Sequence, residues 1–139
     1  MYSIIKWSIF VSKEEIQLYL DRARQDLQAV EINIQNDLFN VAISRAYYAM
    51  FYAATALLKS KGVERKKHSG VISALGEHFV KPGLIEVEYA KMITNAFDSR
   101  NDGDYDVAFV VTKELAETEF RDAVKFVNRI EQYLLQGKI

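Results

Sequence analysis

The chain has 139 residues, 50% hydrophobic and 27% charged, which fits one globular domain and excludes a disordered chain. Eighteen Lys+Arg against nineteen Asp+Glu leave a formal net charge of −1, so bulk electrostatics give no reason to assign nucleic-acid binding. The absence of cysteine excludes disulfides, thiolate metal sites and a Cys nucleophile, and one proline with six glycines cannot punctuate an all-β fold that turns every ~8–12 residues.

The opening residues 1–11 are apolar but too short to span a bilayer, and they lack a basic leader and a small-residue cleavage site. They are read as an N-terminal arm (residues 1–12), and with no export signal the expected compartment is the cytoplasm, with no membrane partner. Ser12-Lys-Glu-Glu15 has the pattern of a capping box. Ile16, Leu20, Ala23, Leu27, Val30 and Ile34 then mark one helical stripe, with Asp21, Arg22, Arg24, Gln25 and Asp26 on the opposite face, so a first helix is predicted over about 13–33. Asp37 is the candidate cap of a second helix, to about Lys61, that is apolar around nearly its whole circumference and therefore central. Its alanines (Ala42, Ala46, Ala49, Ala53, Ala56) allow close neighbours, and Gly62 suits its C-terminal exit.

A basic stretch, Arg65 to His68, precedes a short third helix over 69–79, for which Ser69 is a candidate cap; Lys81-Pro-Gly83 is a turn. A fourth helix is predicted over about 84–99, with Ile85, Tyr89, Met92, Ile93, Ala96 and Phe97 inward, broken by Arg100-Asn-Asp-Gly-Asp-Tyr-Asp106. Residues 107–111 are β-prone but too few for a sheet, and read as a lead-in to a fifth helix capped by Thr112 and ended by Gly137. The expected fold is all-α, an up-and-down antiparallel bundle of four to five helices over residues 13–136.

Three groups could carry chemistry. Around Arg100, Asp98, Asp102, Asp104 and Asp106 read either as a solvated turn or as the surroundings of an arginine whose fork of donors suits phosphate. Lys67 and His68, beside a helix N-terminus, read either as a basic loop or as a phosphate-positioning patch. Arg45, in the apolar second helix, needs a partner if buried, and an acid of the 98–106 segment is the expected one. The aromatics Tyr47, Tyr48, Phe51 and Tyr52 beside it are more often core than stacking platform. His68 and His78 are ten apart and no tight ligand cluster exists, so neither a metal nor a cofactor is expected.

The run from Asp37 to Gly62, Lys67-His-Ser-Gly70, residues 76–85 and Arg100-Asn-Asp-Gly-Asp-Tyr105 together resemble HEPN domains, the small stand-alone archaeal and bacterial type, over about residues 13–135. The resemblance implies a helical bundle, usually a homodimer. It also implies kinship with metal-independent RNases that act as toxins restrained by a minimal nucleotidyltransferase. Their motif is Arg, a polar residue, then His four to six positions after the Arg, with two copies facing across a dimer cleft. Arg100 and Asn101 match. Tyr105 stands in the histidine's region, and no histidine follows Arg100. Tyrosine titrates near 10 rather than about 6.5, so the expectation is a degenerate site of weak or absent nuclease activity. A nucleotide-, RNA- or protein-binding homodimer without catalysis, or a dimer in which Arg45 merely stabilises the core, is the alternative. The all-apolar second helix is expected to need a second copy to cover it.

Overall fold

The computed structural model describes the backbone of residues 2–136 and the side chains of residues 13–136. The chain forms α1 (Tyr2–Gln35), α2 (Phe39–Ser60), α3 (His68–Leu75) continued by a single π turn (Gly76–Val80), α4 (Val87–Tyr105) and α5 (Lys113–Gln136). It is an all-α, up-and-down antiparallel bundle, with no strand among the described residues. α2 packs against each of the other four helices. Its six alanines, Ala42, Ala46, Ala49, Ala53, Ala54 and Ala56, are all fully buried, which is what lets the neighbouring helix backbones close on it. Tyr47, Met50, Leu57 and Leu58 fill the rest of the core with Phe79, Phe126, Ile93 and Ile130.

Helix ends depart from the sequence reading in instructive ways. α1 passes straight through Ser12–Glu15, so that capping box starts no helix. Asp37 is not the cap of α2, because no side-chain bond is made there. It instead ends α1 in the left-handed region (φ 59°), where its N–H reaches Ile34 O and the N–H of Leu38 reaches Asn33 O. That is a Schellman exit built on a non-glycine residue, and short polar side chains tolerate the conformation best. Gly62 (φ 71°) ends α2 with the same pair of bonds, to Lys59 and Leu58, as the sequence suggested. Ser69 caps nothing, since α3 already begins at His68. Thr112 does cap α5, its hydroxyl accepting from Leu115 N–H at 3.1 Å. The stop expected at Gly137 lies outside the described residues.

The largest difference is at α4, which continues through Arg100 to Tyr105 instead of breaking. The Arg100–Asp104 pair, four residues apart at 3.1 Å, supports this polar final turn. Gly103 lies within this helical turn, and a Cβ there would make only an ordinary contact with Ile43 Cδ1 at 3.4 Å. The lead-in 107–111 is not a strand. Helix α2 is long and apolar enough to cross a membrane, but most of it is buried inside the bundle. Part of the apolar surplus expected on α2 stays uncovered in one copy, with Leu38 and Val41 exposed and Phe39, Tyr48, Phe51 and Tyr52 only partly buried. The exposed apolar side chains at the C-terminal end of α4 are Tyr105, Val107 and Val110.

Candidate functional site

The side of α2 that faces α3 and α4 carries an aromatic cluster. Tyr47 is fully buried and Tyr48 half-buried, with ring centroids 5.3 Å apart at 65°, and Phe51, one turn on, lies 6.0 Å from Tyr47 and 6.2 Å from Tyr48. α3 opens with His68 laid on this cluster. Its imidazole stacks on Phe51 at 4.4 Å and 15°, and presents its edge to Tyr48 at 5.7 Å. His68 Nδ1 is 2.7 Å from the Tyr47 hydroxyl. Phe97 of α4 closes the cluster, 5.5 Å from Tyr47 and 6.4 Å from His68.

One turn beyond Phe97, α4 brings in Arg100. Its Cζ lies 5.3 Å from the Tyr48 ring centre and 5.9 Å from that of Tyr47, within cation–π range. The guanidinium donates to Tyr48 Oη at 3.2 Å and to Asn101 Oδ1 at 3.3 Å, both at the long end for such bonds. Asp104 Oδ2 is 3.1 Å from Nε, an ion-pair distance. The direction is wrong for a hydrogen bond, however, and Nε is buried without an acceptor. A group with five donors thus holds two long bonds and one misaligned carboxylate. Burying Nε unpaired carries a penalty, while the weakly bonded Nη groups of this 20% exposed side chain are where an anion can bind.

Arg45 lies over the Tyr48 ring at 4.7 Å, so two guanidinium groups share this one ring. Its ion partner is Asp26 of α1 at 3.0 Å, not an acid of the 98–106 segment. Asp26 was placed on the polar face of the first helix, yet it is only 4% exposed and its Oδ2 has no partner. Burial pushes its carboxyl above the ordinary range, against the pull of Arg45. Its spacing from Ala23, Leu27 and Val30 already placed it on their face.

The electrostatics follow from burial. Desolvation, and then the Arg100 charge, holds the His68 imidazole below its ordinary value, so it is neutral at pH 7. Burial, with Tyr48 adding to it and Arg100 opposing, pushes the Tyr47 phenol well above the tyrosine range and keeps it a neutral hydroxyl. Behind Arg100, α5 holds Glu119, 5% exposed, with Oε2 unpartnered and its carboxyl pushed up to about 7 by burial despite a bond from Ser99. Glu119 was not singled out from the sequence, although its spacing from Ala116 and Ala123 puts it on the buried stripe.

Of the sequence candidates, Arg45, His68, Arg100 and Asn101 gather around Tyr47 and Tyr48. Tyr105 does not: it is 81% exposed and makes no bond or ring contact with Arg100 among the described residues. Lys67 is exposed at the start of α3 and contributes charge alone. The acidic residues serve separate local roles. Asp104 pairs with Arg100, Asp106 accepts from Ala108 N–H at 2.9 Å to turn the chain, and Asp102 and Asp98 face solvent. Along α2 the Tyr52 ring, 6.0 Å from Tyr48, leads into a cavity of about 340 Å³ lined also by Tyr19, Arg22 and Lys59. Arg22 lies over Tyr52 at 5.2 Å, and Lys59 over Tyr19 at 5.5 Å.

The family model for the HEPN domain matches residues 16–134. A Methanocaldococcus jannaschii protein named "Putative toxin MJ0605" is 41% identical over 88% of this chain and 90% of its own length. A second, "Putative toxin MJ0142" from the same organism, is 34% identical over 91% of this chain and 86% of its own length. A UPF0332 protein of Thermotoga maritima is 34% identical over 86% and 90%. The crystal structure of ST0689, described as an archaeal HEPN homologue, superposes with a TM-score of 0.68 at 16% identity, over 85% of this chain and 96% of that one. This last likeness is one of fold.

Proposed function

Because the chain belongs to the HEPN domain family, we propose that it is the HEPN half of a toxin–antitoxin-like pair, restrained in the cytoplasm by a minimal nucleotidyltransferase, and that it binds RNA at Arg100. The observation that carries this reading is the under-satisfied Arg100 guanidinium held on the Tyr47–Tyr48 rings. A phosphate oxygen can accept from the outward Nη groups, which hold only the two long bonds, and a base can stack where Tyr48 is half-open. Between α1 and α2 the Tyr52–Arg22 pair extends the alternation of ring and cation, although Lys59 in the same cavity is already paired with Glu15 and Glu64. The toxin names of two relatives agree with the pairing.

The working form is a homodimer in which Tyr105, Val107 and Val110 are covered by a second copy and two Arg100 sites share one cleft. Tyr105 then belongs to the interface rather than to the chemistry. Sedimentation at micromolar concentration gives a dimer, and short single-stranded RNA binds with an affinity that falls at least tenfold in Arg100→Gln. A monomer, or RNA binding indifferent to that substitution, contradicts the reading. A binding module without chemistry is the second reading, favoured by the lack of a histidine after Arg100.

A further inference from the structure

The residues around Arg100 include an imidazole that the order of the sequence conceals. His68 precedes Arg100 by 32 positions (100 − 68), yet α3 sets it on the same Tyr47–Tyr48 pair that holds the guanidinium. Its Nδ1 is engaged by the Tyr47 hydroxyl at 2.7 Å, and the stack on Phe51 at 4.4 Å fixes the ring plane. Nε2 has no protein partner among the described residues and is not fully enclosed, and His68 is half-buried. A ring oriented at one nitrogen and free at the other, beside a cation built for phosphate, is the arrangement general-base chemistry needs.

We propose that His68 is the proton-transferring group of an RNA-cleaving site centred on Arg100, replacing from α3 the imidazole absent after Arg100 on α4. The proposal rests on the RNA-binding reading above. With Nδ1–H donated to the Tyr47 oxygen, Nε2 takes the proton of a ribose 2′-hydroxyl. That oxygen forms a bond to the adjacent phosphorus, and the bond from phosphorus to the 5′-oxygen breaks. The leaving oxygen takes a proton from water, and the imidazolium returns its proton to the hydroxide so formed. The products are a 2′,3′-cyclic phosphate and a 5′-hydroxyl end. Arg100 binds the non-bridging oxygens and stabilises the charge that builds there. Tyr47 is a positioning residue, and its hydroxyl can accept from Nδ1–H in both protonation states of the ring. The groups facing His68 are Tyr47, Tyr48 and Phe51 from α2, with Phe97 and Arg100 from α4. None of them is an acid, so the neutral, proton-accepting ring is the resting form.

The test compares the full chain with His68→Asn, His68→Ala and, as a control far from the cluster, His78→Asn. A fluorescent single-stranded RNA is used, with affinity, cleavage rate and end groups measured in parallel. The expected result is slow cleavage by the native chain to cyclic-phosphate ends and a loss of roughly a hundredfold or more in His68→Asn. RNA affinity stays within about threefold, His78→Asn behaves as native, and free imidazole restores activity to His68→Ala, which a merely structural role would not allow. Cleavage unchanged in His68→Asn overturns the proposal. So does RNA bound through Arg100 but never cleaved by the native chain, an outcome that leaves the binding reading standing. Absence of RNA binding by the native chain removes both.

Discussion

Glu119→Gln isolates the most unusual electrostatic feature of the bundle. Glu119 is 5% exposed, its Oε2 has no partner, and burial lifts its carboxyl from 4.5 to about 7, with Asp122 adding to the lift and the Ser99 bond opposing it. Because the folded pKa lies above the unfolded one, the folded chain holds this proton more tightly. Stability is therefore full below about 4.5, declines as pH rises through the interval, and is lowest above about 7. The interval is about 2.5 units, worth about 3 kcal/mol at roughly 1.4 kcal/mol per unit. That is a sizeable part of the ~5–15 kcal/mol that holds such a domain together. Glutamine keeps the shape and the bond to Ser99 without the charge. At pH 8 the variant is expected to be more stable by up to about 3 kcal/mol, roughly 10 °C in Tm for a chain of this size. At pH 4.5 the two should nearly coincide. Thermal and urea unfolding followed by circular dichroism from pH 4.5 to 8.5 measure both curves. Parallel curves, or a glutamine variant that is less stable at pH 8, refute the reasoning.

Arg45→Ala leaves Asp26 buried without its cation and is expected to cost about 2 kcal/mol at pH 7, allowing for the solvent that reaches Arg45. The cost shrinks in acid as Asp26 takes a proton, so urea midpoints at pH 7 and pH 4 check both the size and the sign. Asp37→Gly relieves a left-handed residue (φ 59°) and should stabilise by about 0.5–1 kcal/mol, visible as a higher urea midpoint with unchanged slope. Thr112→Ala removes the cap of α5 and should lower stability by about 1 kcal/mol in the same assay.

The central helix was legible because α2 is apolar on every side, and that pattern has one physical solution in a small bundle. α4 was misjudged at its end because Asn101, Asp102, Gly103 and Asp104 each favour loops by composition. The 3.1 Å pair between Arg100 and Asp104 supports the helical turn. The sequence carries that i,i+4 spacing, but not its weight against four loop-favouring residues. Arg100 and Asn101 were legible by motif, and Arg45 by its isolation in an apolar helix. The company they keep was not. Asp26 is buried by the approach of α2 to α1, and His68 meets Arg100 through the packing of α3 and α4 on α2. Looking only after Arg100 for an imidazole therefore missed one that tertiary packing supplies. Dimerisation was argued from uncovered α2 surface, and some remains at Leu38 and Val41. The exposed Tyr105, Val107 and Val110 add to the argument.

The claim that everything functional depends on is that Arg100 waits for a phosphate. The Nε–H of arginine is visible in a ¹⁵N–¹H spectrum, so the Arg100 signal, assigned by its loss in Arg100→Gln, can be followed as a short single-stranded RNA is added. The account predicts a shift of that proton that saturates with RNA, as a phosphate bound at the outward Nη groups changes the charge around the guanidinium. An Arg100 Nε–H that stays in place while RNA binds elsewhere contradicts it.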